Sequence, residues 1–335
     1  MFCSRSLTIA ALASGLVLLP DLSAPAQASD PVRQVDALEA LSGKHPGFRR
    51  GQAKGVCAAG YFEGTSEGAA LSKASAFAGD RHPVIARFSV GGGNPNASDH
   101  SRSARGLALH IDLPDGEQWQ MANISAPLYF IARPEHFTPF VEVRTPDPDT
   151  GKPDPERLAE FSEAHPETLK QAEWLAEQPI GGSFAGYRYW GVNAFELTAS
   201  DGQSRFVRWD FKPQDPVTPP DEDTLATLGD DFLADELATR LEEEGTVRFD
   251  FYVQLAADDD SLVDATTIWP EEGRERVLAG TLVIESTSPG VGGECDRMVF
   301  NPLVLPDGIA PSDDPVLHAR PAAYAVSFGR RAAGD

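Results

Sequence analysis

The chain has 335 residues, of which 51 are Asp or Glu and 28 are Lys or Arg, so its formal net charge is −23. Such an acidic excess argues against nucleic acids and anionic membranes as partners, because both are polyanions. Neither GxGxxG nor GxxxxGK[ST] occurs, and no His/Cys cluster has zinc spacing, so the sequence does not support a nucleotide-binding or zinc-finger function.

The N-terminus has the pattern of an export signal. Arg5 precedes an apolar run at residues 7–19, and Ala-Gln-Ala follows at residues 26–28. Pro20 and Asp21 end the run before the roughly twenty residues needed to cross a bilayer, which disfavours the alternative of an N-terminal anchor helix. We therefore predict a signal peptide over residues 1–28, a single domain over residues 29–335, and a periplasmic or secreted location.

The mature chain shows mostly strand patterns, with helices between them. After a short helix at 31–41, strands are predicted at 57–62, 84–90, 106–113, 190–199, 204–211, 247–255 and 280–285. Asp201-Gly202 indicates a hairpin, and helical spacing predicts helices at 155–177, 231–244 and 315–330. This pattern predicts an α+β fold: a closed antiparallel β-barrel of about eight strands with inserted helices.

Two cysteines remain in the mature chain, Cys57 and Cys295. An oxidising compartment would allow them to form a disulfide. The sequence does not show whether their Cα atoms lie close enough to pair, and two buried thiols are the interpretation that we favour at this stage.

The C-terminal helix places a guanidinium and a phenol on one face. Arg320 and Tyr324 are four residues apart, which is the spacing of neighbours on a helix surface. A nearby positive charge favours the phenolate form of a tyrosine, and the phenolate is the form that binds ferric iron. Tyrosinate is the axial haem ligand of catalase.

The chain resembles the catalase family through short motifs that follow one another in the family's order and cover most of the mature chain. Because it ends eleven residues after Tyr324, we expect it to resemble the smaller catalase-related peroxidases. The motifs are AKG at 53–55, RFSVGG at 87–92, ARGLA at 104–108, GVNAF at 191–195, MVFNP at 298–302, PDGI at 306–309 and RPAAY at 320–324.

The resemblance implies a haem b cofactor and a set of residues that bind it. Tyr324 would be the proximal iron ligand, and Arg320 the cation that keeps it ionised. Phe137 would pack near the distal haem face, although core packing is an equal alternative. The residues implied to pair with the haem propionates, for which bidentate guanidinium groups are suited, are Arg49, Arg87 and Arg331.

The distal side departs from the family pattern. Gln52 occupies the position at which the family has its histidine, two residues before Lys54-Gly55. A glutamine amide donates and accepts hydrogen bonds but cannot shuttle a proton. Ser89, which supports the histidine in the family, would face Gln52, and Asn123 would be the second distal polar group.

No other histidine is a strong substitute for the missing one. His45 and His82 each precede a proline. His110 alternates with apolar residues of its strand, so we expect it to point away from their side.

The resemblance therefore predicts a haem peroxidase that uses hydrogen peroxide or an organic hydroperoxide to oxidise a small organic donor, with weak or no catalase activity. The alternatives are a haem-binding or sensing protein without chemistry and a hydroperoxide isomerase. We expect a monomer or a small homo-oligomer.

Overall fold

The computed structural model describes Met1 and residues 30–335. Apart from Met1, the predicted signal peptide lies outside the described residues, and the domain boundary at residue 29 stays a prediction. Within the described range, no helix has the length and apolar character to span a bilayer.

Nine strands build one antiparallel sheet that closes on itself. Its order is β4-β3-β2-β1-β8-β7-β6-β5-β9, and the pairing of Ile124 with Trp190 joins β4 to β5. The predicted closed eight-stranded barrel is thereby confirmed, with the short β9 added beside β5. The strands are β1 (Gly55–Gly64), β2 (Arg81–Val90), β3 (Arg105–Asp112), β4 (Gln118–Ile124), β5 (Tyr189–Thr198), β6 (Ser204–Pro213), β7 (Val247–Leu255), β8 (Arg276–Pro289) and β9 (Ile309–Pro311).

The barrel interior is packed with aromatic side chains. Trp119 lies edge-on to Phe62, Trp209 and Phe251, at centroid separations of 6.0, 5.6 and 5.7 Å. Such large rings dominate the apolar surface that folding removes from water. The interior is therefore a filled core, and a ligand site has to lie on the outside of the barrel.

Within residues 30–335, eight α-helices lie around the barrel, and two of them correct a prediction. The helix predicted over 155–177 is broken in two at His165-Pro166, because proline disfavours the helical conformation of the residue before it and lacks an N–H donor. The predicted hairpin at Asp201-Gly202 does connect β5 and β6. The helices are α1 (Pro31–Ser42), α2 (Ser66–Leu71), α3 (Phe137–Glu142), α4 (Pro155–Ala164), α5 (Lys170–Glu177), α6 (Glu222–Leu225), α7 (Phe232–Glu244) and α8 (Pro315–Ala332).

Two strands were missing from the sequence prediction. The β4 segment, QWQMANI, does alternate, but its polar residues include the buried Gln120 and Asn123, so it lacks the apolar character of the other strands. The three residues of β9 are too few to show any period.

Cys57 and Cys295 form a disulfide, with their Cα atoms 5.4 Å apart. The favoured interpretation of two buried thiols was therefore wrong. Cys57 lies on β1, and Cys295 lies in a 3-10 turn, Glu294–Arg297, that the chain reaches 238 residues later. The bond ties this turn to the outer face of the barrel.

Candidate active site

Helix α8 carries Tyr324, which belongs to a partly buried chain of hydrogen bonds. The helix begins at a capping aspartate, Asp314, whose Oδ1 accepts from the Val316 N–H at 2.8 Å. Arg320 Nε donates to Tyr324 Oη at 2.9 Å, and Arg320 Nη1 donates to Asn193 Oδ1 at 2.9 Å. Asn193 Nδ2 in turn donates to Asp314 Oδ2 at 2.7 Å. The guanidinium is thus held on both sides, with one edge facing the phenol oxygen.

The surroundings of Arg320 keep its guanidinium protonated. Burial by itself would lower its pKa, but the phenol oxygens of Tyr324 and Tyr129 outweigh burial and raise it. The Tyr324 oxygen therefore faces a permanent cation. Burial raises the pKa of Tyr129, which does not receive a hydrogen bond from Arg320. Of these two tyrosines, Tyr324 is thus the one whose phenol oxygen is hydrogen-bonded to the guanidinium.

Asn193 and Asp314, which belong to this network, and Tyr129, which lies near Arg320, were not among the predicted site residues. Asn193 lies in the GVNAF motif on β5, so the motif marked its position without indicating its partner. Asp314 and Tyr129 had no local signal, because their relation to Arg320 arises only when the strands and α8 come together.

Three arginines lie together near the C-terminal end of α8. Arg49 donates to the carbonyl oxygens of Met298 and Cys295 at 3.0 and 2.8 Å, Arg331 donates to Met298 O at 3.1 Å, and Arg87 donates to Ala53 O at 3.0 Å. Burial and the charges of Arg87 and Arg331 lower the pKa of Arg49 to about 9. Burial and Arg331 lower the pKa of Arg87 to about 10.

These three guanidinium groups lie close together, because the charge of Arg331 lowers the pKa of both Arg49 and Arg87. The Nε of Arg87 is buried and has no hydrogen-bond partner within the described residues. A cluster of cations with an unused buried donor is unfavourable unless an anion binds there. The residues that the sequence assigned to two carboxylates thus form one cationic cluster, and their pairing with propionates stays a prediction.

The outer face of the barrel next to this cluster carries small side chains. Residues that pair across antiparallel strands share a face, and Ser89 on β2 pairs with Gly106 on β3. Ala108 on β3 pairs with Ala122 on β4, and both lie on the same face two residues further along their strands. A Cβ on Gly106 would lie 2.3 Å from Gln52 Oε1. The face is therefore shallow enough for a planar group and has no room for a larger residue at Gly106.

Gln52 lies over this face in a constrained conformation. Its φ of 50° is one of two positive values among the non-glycine residues that the structure describes. Residues rarely adopt this region without a compensating interaction. Ser89 Oγ donates to Gln52 Oε1 at 2.7 Å, which leaves the Nε2 hydrogens to donate to a bound oxygen atom. The predicted pairing of Gln52 with Ser89 is present.

Asn123 is a correction, because its side chain points into the barrel. It pairs with Leu107, which belongs to the interior core, and its Nδ2 donates to Leu107 O at 3.0 Å. Trp209 Nε1 donates to Asn123 Oδ1 at 2.9 Å. Ile124 pairs with Gly106 and so takes the outer face beside Gln52. The site has an apolar side chain where the sequence analysis expected an amide.

The other histidines do not replace the missing one. The Nε2 atoms of His45 and His82 lie 3.0 and 3.1 Å from the carbonyl oxygens of Ser42 and Ser75. His110 does point away from the apolar residues of β3, as expected, but it interacts with Asp112 and Gln120 at 3.1 Å. It lies four residues from Gly106 along the strand, about 13 Å away.

Phe137 begins α3 and packs against Phe130, with ring centroids 5.9 Å apart. It is half-buried within an aromatic cluster that also contains Phe140. Its role beside a cofactor stays a prediction.

These features together fit the haem that the sequence predicts. Tyr324 offers a phenol oxygen as an iron ligand, and the cluster of Arg49, Arg87 and Arg331 offers positive charge to two carboxylates. Seven residues, or about two helical turns, separate Tyr324 from Arg331 on α8, so one helix supplies both an axial ligand and part of the cationic cluster.

Comparisons with known proteins agree with this arrangement. A family model described as Catalase matches residues 35–334. A catalase-related peroxidase of Synechococcus elongatus is 38% identical over 91% of this chain and 89% of its own. A catalase-related peroxidase of Mycolicibacterium paratuberculosis is 37% identical over 91% of this chain and 96% of its own.

Solved structures show the same fold. A fungal catalase superposes with a TM-score of 0.75 at 21% identity, and catalase A from Saccharomyces cerevisiae with 0.76 at 20%. Each match covers 86% of this chain, which spans 60% and 62% of those two chains respectively.

Proposed function

Because the chain belongs to the catalase family and is an oxidoreductase that acts on peroxide, we propose that it is a haem b peroxidase with weak or no catalase activity. It reduces hydrogen peroxide or an organic hydroperoxide with electrons from a small organic donor. The observation that carries the proposal is the hydrogen bond from the partly buried Arg320 to Tyr324 Oη at 2.9 Å.

Members of the catalase family are haem-dependent. When bound, haem supplies the iron at which the peroxide O–O bond is cleaved and the oxidising equivalents that the donor reduces. Tyr324 would hold the iron, and Arg320 would orient its phenol oxygen by the hydrogen bond to it. Arg49, Arg87 and Arg331 would hold the propionates, which would give the unused donor on Arg87 a partner.

The opposite side limits the chemistry. Catalase turnover requires a group that takes a proton from one peroxide oxygen and returns it to the other. The Nε2 hydrogens of Gln52 can hold a peroxide oxygen by hydrogen bonding but cannot move its proton. Ile124 adds no titratable group. A substrate whose leaving oxygen is protonated through water, such as an organic hydroperoxide, therefore suits this side better than hydrogen peroxide.

Two relatives named catalase-related peroxidase favour the enzyme over the alternative of a haem-binding protein without chemistry. The disulfide between Cys57 and Cys295 supports the proposed periplasmic or secreted location, since disulfides persist in oxidising compartments.

Absorption spectra and turnover of the haem-loaded protein test the proposal. The wild type should show an intense Soret band that Tyr324→Phe shifts or abolishes. Tyr129→Phe is the matched control, because it removes a neighbouring phenol that receives no hydrogen bond from Arg320, and it should keep the wild-type spectrum. Peroxidase turnover should be measured with hydrogen peroxide and with an organic hydroperoxide, and no activity with either oxidant would contradict the proposal.

A further inference from the structure

Two short turns outside the haem site bring two imidazoles and one carboxylate together. His136 ends the 3-10 turn Pro134–His136 just before α3, His165 follows α4, and Glu167 lies in the next turn, Pro166–Thr168. One potential ligand atom from each of the three residues lies within 4.8 Å of the others. We propose that these residues bind a divalent transition metal ion, with Zn²⁺ as the best match.

The distances suit an ion between the groups better than direct hydrogen bonds. Glu167 Oε1 lies 3.6 Å from His136 Nδ1 and 3.8 Å from His165 Nδ1, beyond hydrogen-bond length. His136 Nδ1 is buried and has no hydrogen-bond partner within the described part of the chain. Tetrahedral zinc with bonds of 2.0–2.1 Å places its ligand atoms about 3.3 Å apart, so the two separations from Glu167 would each shorten by only a few tenths of an ångström.

The backbone holds these groups in place before any ion binds. His136 N donates to Arg133 O at 3.1 Å, and His165 N donates to Phe161 O at 2.9 Å. The buried Thr168 donates from Oγ1 to His165 O at 2.7 Å and fixes the turn that carries Glu167. Ligands positioned in this way lose little conformational freedom when they bind an ion.

The chemical types of the three ligands, two imidazoles and one carboxylate, indicate which metals fit. Imidazole nitrogen suits zinc, copper, nickel and iron, and two histidines with one carboxylate are a known ligand set of zinc. The three side chains are 21–28% exposed, so an ion can reach them from solvent and keep a water ligand in the fourth position.

The sequence does not reveal this site because 29 residues separate the two histidines. A bound ion would connect the start of α3 to the turn between α4 and α5. It would therefore stabilise the segment that carries Phe137 without taking part in the chemistry at Tyr324.

Zinc binding by the haem-loaded protein tests the inference. After treatment with a chelator, the protein is dialysed to equilibrium against Zn²⁺, and zinc is counted by elemental analysis separately from the haem iron. We expect one zinc per chain in the wild type, and affinity weaker by at least about tenfold in Glu167→Gln and in His165→Asn, since even outer-shell changes cost 10–100-fold.

Glu163→Gln is the matched control, because it neutralises an exposed carboxylate on α4 close to the same turn. It should bind zinc as the wild type does. Zinc should raise the Tm of the wild type and the control but not that of Glu167→Gln. Failure of the wild type to retain zinc, or equal affinity in all four proteins, would overturn the inference. Neither result depends on peroxidase activity.

Discussion

A histidine in place of Gln52 tests whether proton transfer limits the peroxide chemistry of this site. The position can accept the ring. Gln52 has a φ of 50°, in a region that histidine adopts more readily than most residues do. Ser89 Oγ, now 2.7 Å from Gln52 Oε1, would face an imidazole nitrogen, and Gly106 leaves space beside it. Gln52→His should therefore fold and bind haem as the wild type does.

The expected gain follows from the groups that are present. A positioned acid–base group contributes about 10²–10⁴ in rate. Since Ile124 occupies the outer face where a second polar group would help, we expect the lower end, about 10², which corresponds to about 2.7 kcal/mol of activation free energy. The assay is hydrogen peroxide consumption and oxygen release per haem across pH. The variant should also gain a pH dependence near the ordinary imidazole pKa of about 6.5.

Gln52→Leu is the control, because it removes the amide without adding a titratable group. A gain of equal size in this control would show that the amide blocks the site and that the imidazole is irrelevant. Gln52→His with a normal Soret band and no gain in peroxide consumption would refute the reasoning.

Two further predictions concern the cationic cluster. Replacing Cys57 and Cys295 by alanine should lower the free energy of unfolding in urea by about 2–5 kcal/mol, since the disulfide closes a long loop. Haem affinity should fall as well, because Arg49 donates to Cys295 O, and unchanged affinity would show that the carbonyl is held independently. In the haem-free protein, burial and the charges of Arg87 and Arg331 lower the pKa of folded Arg49 to about 9, below the ordinary arginine value that the unfolded chain keeps. Above pH 9 the unfolded chain therefore binds more protons, and stability gains a rising contribution with pH. The urea midpoint of each protein should be measured at pH 8 and at pH 10. From pH 8 to pH 10 the midpoint should rise less, or fall more, in Arg49→Gln than in the wild type. An equal change in both proteins would contradict this.

The sequence predicts most reliably what local spacing determines. Arg320 and Tyr324 meet because residues four apart on a helix are neighbours, so their contact needs no knowledge of the fold. The barrel follows from repeated short strands separated by turns. The prediction of one helix over 155–177 was wrong, because Pro166 disfavours the helical conformation of His165 and ends the first helix there.

Features that depend on strand register could not be predicted from the sequence. A shift of one residue moves a side chain to the opposite face of a sheet, so the choice between Asn123 and Ile124 could not be made without the pairing of β3 with β4. The disulfide depends in the same way on a turn 238 residues away. The arginine cluster was predicted only through family resemblance, and its backbone carbonyl partners carry no side-chain signal at all.

The two sides of the proposed haem site differ in how far they are specialised. On the side of Tyr324, a chain of hydrogen bonds connects the phenol oxygen through Arg320 and Asn193 to Asp314. On the side of Gln52, Ser89 donates a hydrogen bond to the amide oxygen, and Gly106 leaves room for that amide. The same hydroxyl and the same room would also suit a histidine. In the proposed peroxidase, the Nε2 hydrogens of Gln52 would position a bound peroxide by hydrogen bonding. Because an amide cannot shuttle a proton, the proton needed for cleavage would then come from the substrate or from solvent.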